Sequence, residues 1–344
     1  MISPLPNLRP MSLGDLLDAT FRLFRNNFLT FIGIAALMQL PFILLQLVLG
    51  FAFNQQVATD IFRLADELPG FDPGTDSFGT LPLAGMFAFI GFTLVLALFQ
   101  AFVILPLING ALANAVSRRF LNQDVGIIGA YNLGAGRIIS VIVTNLIVAL
   151  LGGLVGGVLI GGFVFVIFAI SAVLASSGDS GSGALLGVLA FFGTFAALIV
   201  LLLLISFVFV RFIFVTQAAV LEGKGPIEAL GRSWRLLTGS YWRVLGIVVL
   251  IFILLYILVA IPTSIASFAI GLIFSRPEDF VLQQTLSGVI SYSTQILVLP
   301  FQLVAYTLLY YDLRVRKEGF DMQMMAEQSY NVPATPWQVD RPNG

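Results

Sequence analysis

Short amphipathic segments alternate with long uncharged apolar ones along this chain, and the alternation recurs. From Gly225 to Leu250 a polar helix carrying Arg232 and Arg235 meets an aromatic step, Tyr241 and Trp242, and then enters an apolar run. The same order opens the chain between Met11 and Leu37. Laying Phe21, Arg22 and Leu23 on Trp234, Arg235 and Leu236 places Phe28 on Tyr241, and Gly33 and Ile34 on Gly246 and Ile247. A third, weaker copy falls around Tyr131 to Val143. The pattern predicts three units, each a surface helix followed by a membrane hairpin.

Taken in order, Ser12 to Phe28 reads as an amphipathic helix. Leu13, Leu16, Leu17, Phe21, Phe24 and Phe28 share one face at helical spacing, with Asp15, Asp18, Arg22 and Arg25 opposite. Ser12 and Asp15 have capping-box spacing, and early acids with late arginines suit the helix dipole. Such a helix either lies in the membrane interface or packs on the neighbouring loops. Apolar runs that cover a hydrocarbon core of roughly 30 Å then place spans near 28–53, 81–116, 138–175, 184–214, 244–274 and 285–309. The expected fold class is all-α, a polytopic transmembrane helix bundle of six spans with amphipathic surface helices.

Several runs exceed what the bilayer needs, so they must tilt, break or project beyond it. Pro41, Pro262 and Pro300 mark expected kinks. Val57, Ile61, Leu64 and Leu68 suggest a short surface helix at the start of the acidic loop 54–80. Residues 1–317 form the expected membrane domain, and 318–344, polar and patternless, a flexible tail.

Composition narrows the chemistry. Of the 344 residues 58% are apolar and 10% charged, far below the roughly 25% charge of soluble domains, and the mean hydropathy is +1.00. Zero cysteines remove disulfides and thiolate chemistry, and zero histidines remove triads and imidazole metal sites. The net charge of -1 offers nothing to a nucleic-acid backbone, so the expected partners are membrane lipids and other membrane proteins, with no cofactor. Fifteen of the 17 Lys and Arg lie on the side that carries both termini, while the other side has Arg63 and Arg276. The positive-inside rule therefore predicts both termini in the cytoplasm of a cell-membrane protein. The opening residues lack the order of a cleavable signal, so the first span is expected to be retained.

Ionisable groups are scarce inside the apolar runs, and Arg211 is the nearest to one. Either the lipid boundary falls at Arg211, which snorkels to the headgroups while residues 212–221 pack along the cytoplasmic surface, or Arg211 is buried and paired with Asp312 or Glu222, anchoring the bundle or binding an anionic headgroup. Gly152, Gly156, Gly157 and Gly161 recur four apart in the third run, a spacing that lets another helix approach closely. Gln39, Gln46, Gln100, Asn109, Asn145, Gln295 and Gln302 suit interhelical hydrogen bonds better than a pore. Arg232 and Arg235, on the surface helix, complete the set of candidate interaction residues.

The segments PMSLGDLLDATFRLFRNNF, AAVLEGKGPIEALGRSWRLLTGSYWRVLGI and TLLYYDLRVRKEGFD together resemble the membrane domain associated with bacterial glycerophosphoryl diester phosphodiesterases, over residues 11–321. The resemblance implies a polytopic helical membrane domain. It does not imply hydrolysis, which in the fused relatives belongs to a separate barrel that uses histidines and a carboxylate-bound metal. The expectation is a non-enzymatic membrane protein with an anchoring, assembly or regulatory role. A passive or lipid-handling transporter is the alternative, because internal repeats are common in transporters.

Overall fold

The computed structural model describes residues 10–67, 83–176, 182–276, 279–320 and 322–323. Helix α1 (Leu13–Asn26) starts with the expected capping box. Ser12 Oγ accepts from the Asp15 N–H, and the Asp15 carboxylate accepts from the Ser12 N–H. Asn27 ends it, and α2 (Phe28–Glu67) follows at once. Chain continuity through Pro41 shows that the first span and the surface helix expected beyond it are one helix. Helix α3 (Leu83–Phe99) passes through a π-helical turn, Gln100–Ile104, into α4 (Leu105–Phe120).

A single turn, α5 (Ile127–Ala130), precedes α6 (Ala135–Ser176), which at 42 residues is about 63 Å long. It pairs with α7 (Ser182–Arg211). The fourth apolar run breaks at residues 212–214, and α8 (Val215–Leu221) follows the break. Then come α9 (Pro226–Leu237), α10 (Tyr241–Ile273) and α11 (Phe280–Glu318).

Six of these helical segments are long and apolar enough to cross a membrane. Each hairpin follows a short helix: α1 before α2 and α3, α5 before α6 and α7, α9 before α10 and α11. The element order therefore repeats three times, although the middle short helix, α5, is a single turn at Ile127–Ala130 that lies just before the Tyr131 to Val143 stretch where the sequence placed the third copy.

Helix α11 is the axis of the bundle. It packs against α1, α2, α4 and α10 and is by far the most buried span. Its last turns and α4 form the densest core, where Ile108, Leu112, Val304, Leu308, Leu309 and Tyr310 lose all solvent contact. Helices α3, α6 and α7 present most of their apolar side chains outward instead. Packing is thus concentrated at the end of the bundle that carries α1, α5, α8 and α9, hereafter the basic face.

Two close approaches fix the small helices. Ile127 of α5 lies against Gly33 of α2, where an added Cβ would stand 2.5 Å from its Cδ1. Tyr131 then donates its hydroxyl to the Ile34 carbonyl at 2.6 Å. At the other end, α11 outruns the predicted boundary at 317. Glu318 is its last residue, and Gly319 closes it at φ 59°, a left-handed conformation suited to glycine. Phe320 stacks on Tyr311 and on the Arg314 guanidinium, so the expected tail cannot begin at 318. The remainder, 324–344, lies outside the described residues, as do the acidic loop 68–82 and residues 177–181.

Candidate functional site

Two ionic knots, and Arg211 apart from them, stand out among the charged residues of the basic face. In the first knot Asp312 is fully buried. It accepts from the Met11 N–H at 2.7 Å, from Arg316 Nε at 3.0 and 3.1 Å, and pairs with Arg243 Nη1 at 2.9 Å. Both arginines also donate to the Met11 carbonyl, at 3.0 Å from Arg243 and 2.6 Å from Arg316. The entry to α1, the first turn of α10 and the end of α11 are therefore tied through one carboxylate. A buried carboxylate is tolerable only when its acceptor sites are filled in this way.

The second knot centres on Arg232 of α9. Its Nε and Nη2 grip Glu222 at 2.7 to 2.9 Å, and Nη1 and Nη2 hold Glu318, the Nη2 contact being 2.7 Å. Tyr310 also donates to Glu222, while Arg314 lies 3.3 Å from Glu318 and 3.7 Å from Glu222. Lys224 stands 3.8 Å from Glu222. Burial alone would raise the Glu222 pKa. The hydrogen bonds from Arg232 and Tyr310, with the charges of Arg232 and Arg314, outweigh it and hold the carboxyl below its usual range. The Glu318 hydrogen bond, opposed by burial and reinforced by Glu222, pushes Arg232 further up.

Arg211 joins neither knot. It is the last residue of α7, where the helix dipole favours a cation. Its guanidinium lies 4.5 Å from the Trp234 ring, 4.9 Å from Phe207 and 5.7 Å from Tyr241. The expected alternative of a pair with Asp312 or Glu222 is not what forms, because both carboxylates are already occupied. The helix breaks just after Arg211, and Val215, Gln217, Ala218, Ala219 and Val220 of α8 beyond the break are buried. Ser233 secures the break by donating to the Arg211 carbonyl at 2.7 Å and accepting from the Phe214 N–H at 3.3 Å.

The other predicted residues are more dispersed. Arg235 is exposed on α9. Gly152 meets Phe209, but a Cβ at Gly156, Gly157 or Gly161 would find nothing within 4 Å. The small-residue seam is therefore open along most of its length, and none of the described helices fills it. Among the carboxamides, Gln39 donates to Gln295 at 3.3 Å and Gln46 to Gln100 at 3.2 Å, the second pair meeting at the start of the π turn. Gln302 donates to Tyr306 at 2.9 Å, and Asn145 to the Val141 carbonyl at 2.8 Å. The two Gln–Gln pairs are interhelical bonds of the kind the sequence suggested, whereas the Gln302 and Asn145 bonds stay within one helix and Asn109 Oδ1 is buried with no hydrogen-bond partner among the described residues.

Sequence reasoning missed the Met11 clamp and the role of Glu318, which it assigned to the tail. The signal was present in YYDLRVRKE, where Asp312 and Arg316, and Arg314 and Glu318, stand four apart on one helix. It also missed the buried contact of Ser117 Oγ with the Tyr311 hydroxyl at 2.5 Å. Two open clefts lie on the basic face. One of about 480 Å³ is lined by Asp15, Asp18, Arg22 and Arg119, and one of about 500 Å³ by Arg137, Lys224 and glycines. Among the described residues no three carboxylates gather as a metal site.

Fold and site together define a multi-pass, all-helical membrane protein whose charged groups cluster at one end of the bundle. The chain belongs to the family described as a domain of unknown function, DUF7847, whose model matches residues 11–313. No curated protein and no solved structure matches it.

Proposed function

We propose that this protein is a non-enzymatic membrane component that anchors or assembles other proteins of the cell membrane, with its basic face and both termini in the cytoplasm. The observation that carries this reading is the division of labour in the bundle. The two ionic knots of the basic face hold α1, α8, α9, α10 and α11 to one another. Helices α3, α6 and α7, including the open glycine seam, turn apolar surface outward. A rigid cap with outward apolar helices suits association within the membrane, where small residues favour close helix contact. The excess of Lys and Arg at that end supports the cytoplasmic orientation. The resemblance to the stand-alone membrane domain of the glycerophosphoryl diester phosphodiesterase group points the same way, since that domain lacks the catalytic barrel.

A second reading, passive or lipid-handling transport, draws on one observation. The carboxamide pairs Gln39 with Gln295 and Gln46 with Gln100 lie inside the spans, and π turns such as Gln100–Ile104 recur at functional sites. Native mass spectrometry of the protein released gently from its own membrane separates the two. A stoichiometric protein partner supports assembly. A retained solute without a partner, and flux into vesicles that Gln39→Leu abolishes, would replace it with transport.

A further inference from the structure

Arg211 differs from five other arginines of the basic face. Arg119, Arg232, Arg243, Arg314 and Arg316 each reach a carboxylate. Arg211 reaches none among the described residues, and its Nε and Nη1 are buried without a hydrogen-bond partner. Three rings from three helices, Phe207, Trp234 and Tyr241, hold it instead. Aromatic faces attract a guanidinium and fix its plane, but they accept no hydrogen bonds and leave the full positive charge in place.

A second cation stands close by. Lys317, in the last turn of α11, donates its ammonium to the Thr238 carbonyl at the end of α9, and Thr238 in turn donates to the Trp234 carbonyl at 3.0 Å. The helix whose Trp234 ring faces Arg211 therefore carries a second cation at its end, with the Lys317 ammonium still holding further donors. The place opens sideways. Trp234 and Phe207 are 44% and 40% exposed, and Trp242, one residue beyond Tyr241, is 73% exposed. Tryptophan and tyrosine at the foot of apolar spans mark headgroup level in a bilayer.

We infer that Arg211 and Lys317, framed by Trp234 and Tyr241, form a binding site for a phosphate-bearing anion, supplied by the headgroup of an anionic phospholipid in the adjoining leaflet. The chemistry follows from the donors. A phosphodiester offers oxygens to both cations at once, and the aromatic frame accommodates the glycerol and upper acyl carbons that follow it. Basic pockets between spans at this depth recognise headgroups in the same way. The site is independent of the assembly reading, since either a scaffold or a transporter can carry it.

The test uses the full-length protein in nanodiscs of zwitterionic phosphatidylcholine, with or without added phosphatidylglycerol, counting retained lipids by native mass spectrometry. Wild type should retain one phosphatidylglycerol that Lys317→Gln and Arg211→Gln lose, with affinity falling about fivefold or more per cation removed. Arg22→Gln, which leaves both site cations in place, should keep it, and Arg211→Lys should keep most of it. Inorganic phosphate titrated into phosphatidylcholine discs separates the sources. Stabilisation by phosphate alone, with no retained lipid, would make the ligand a free phosphate and overturn the lipid assignment. Should Arg211→Gln fail to fold, Lys317→Gln and Arg211→Lys still decide the matter. Retention of the same lipid by wild type and Lys317→Gln would overturn the site.

Discussion

Replacing Asp312 by asparagine keeps the shape of the first knot and removes its charge. The buried carboxylate takes donors from the Met11 N–H, Arg243 and Arg316. In Asp312→Asn one of the two acceptor oxygens becomes an amide that points its own donors at an arginine, and both guanidinium groups lose their counter-charge. Breaking a fully buried ion pair costs about 3–5 kcal/mol. Here the arginine side chains are 35% and 36% exposed and can turn toward water, so about 2–3 kcal/mol is expected. The loss should be local first, since Asp312 is what fastens the start of α1. Denaturant titration in detergent gives the global figure, and hydrogen exchange at Met11 to Leu17 gives the local one. Arg316→Gln in the Asp312→Asn background should add much less than it does alone, because the two share one interaction. An Asp312→Asn protein with wild-type stability and a protected α1 would refute the claim that this carboxylate fastens the helix.

Other outcomes follow from the same face. Arg232→Ala leaves Glu222 and Glu318 without their shared cation and should cost about 2–4 kcal/mol, whereas the exposed Arg235→Ala should stay within about 0.5 kcal/mol, both read by denaturant titration. The Glu222 carboxyl is held below its usual range. Its contribution is therefore complete above the ordinary carboxylate pKa and lost as pH falls through the lowered folded value, so the stability gap between wild type and Glu222→Gln should shrink as the pH is lowered below the ordinary carboxylate range. Tyr311→Phe strands the buried Ser117 hydroxyl and should cost about 1–2 kcal/mol, with Ser117→Ala in the same background recovering part of it.

The apolar runs and the amphipathic segments made the architecture legible, because length and period are properties of the sequence alone. Breaks within the long runs were less so. Nothing in FVFVRFIFV states that the helix ends at Arg211; that depends on Ser233, 22 residues on, capturing the freed backbone groups. Candidate cations were visible by charge, but their partners were not, since Asp312 meets Met11 across 301 residues. The glycine seam shows the opposite limit. Its spacing announced a packing surface, yet periodicity cannot say whether the partner is another helix of the chain, and here none of the described helices fills it. Ser233 illustrates a practical consequence: it is fully buried, so a reporter for the basic face belongs at exposed Arg235.

Single cysteines test the central claim directly, because the chain has none to remove. Ser177→Cys, between α6 and α7 in the sequence, and Arg235→Cys, on the basic face, should be treated with an impermeant thiol reagent in intact cells and again after the membrane is opened. The account predicts labelling of position 177 in intact cells and of position 235 only after opening. Labelling of position 235 in intact cells would contradict it, placing the knotted face, and both termini with it, outside.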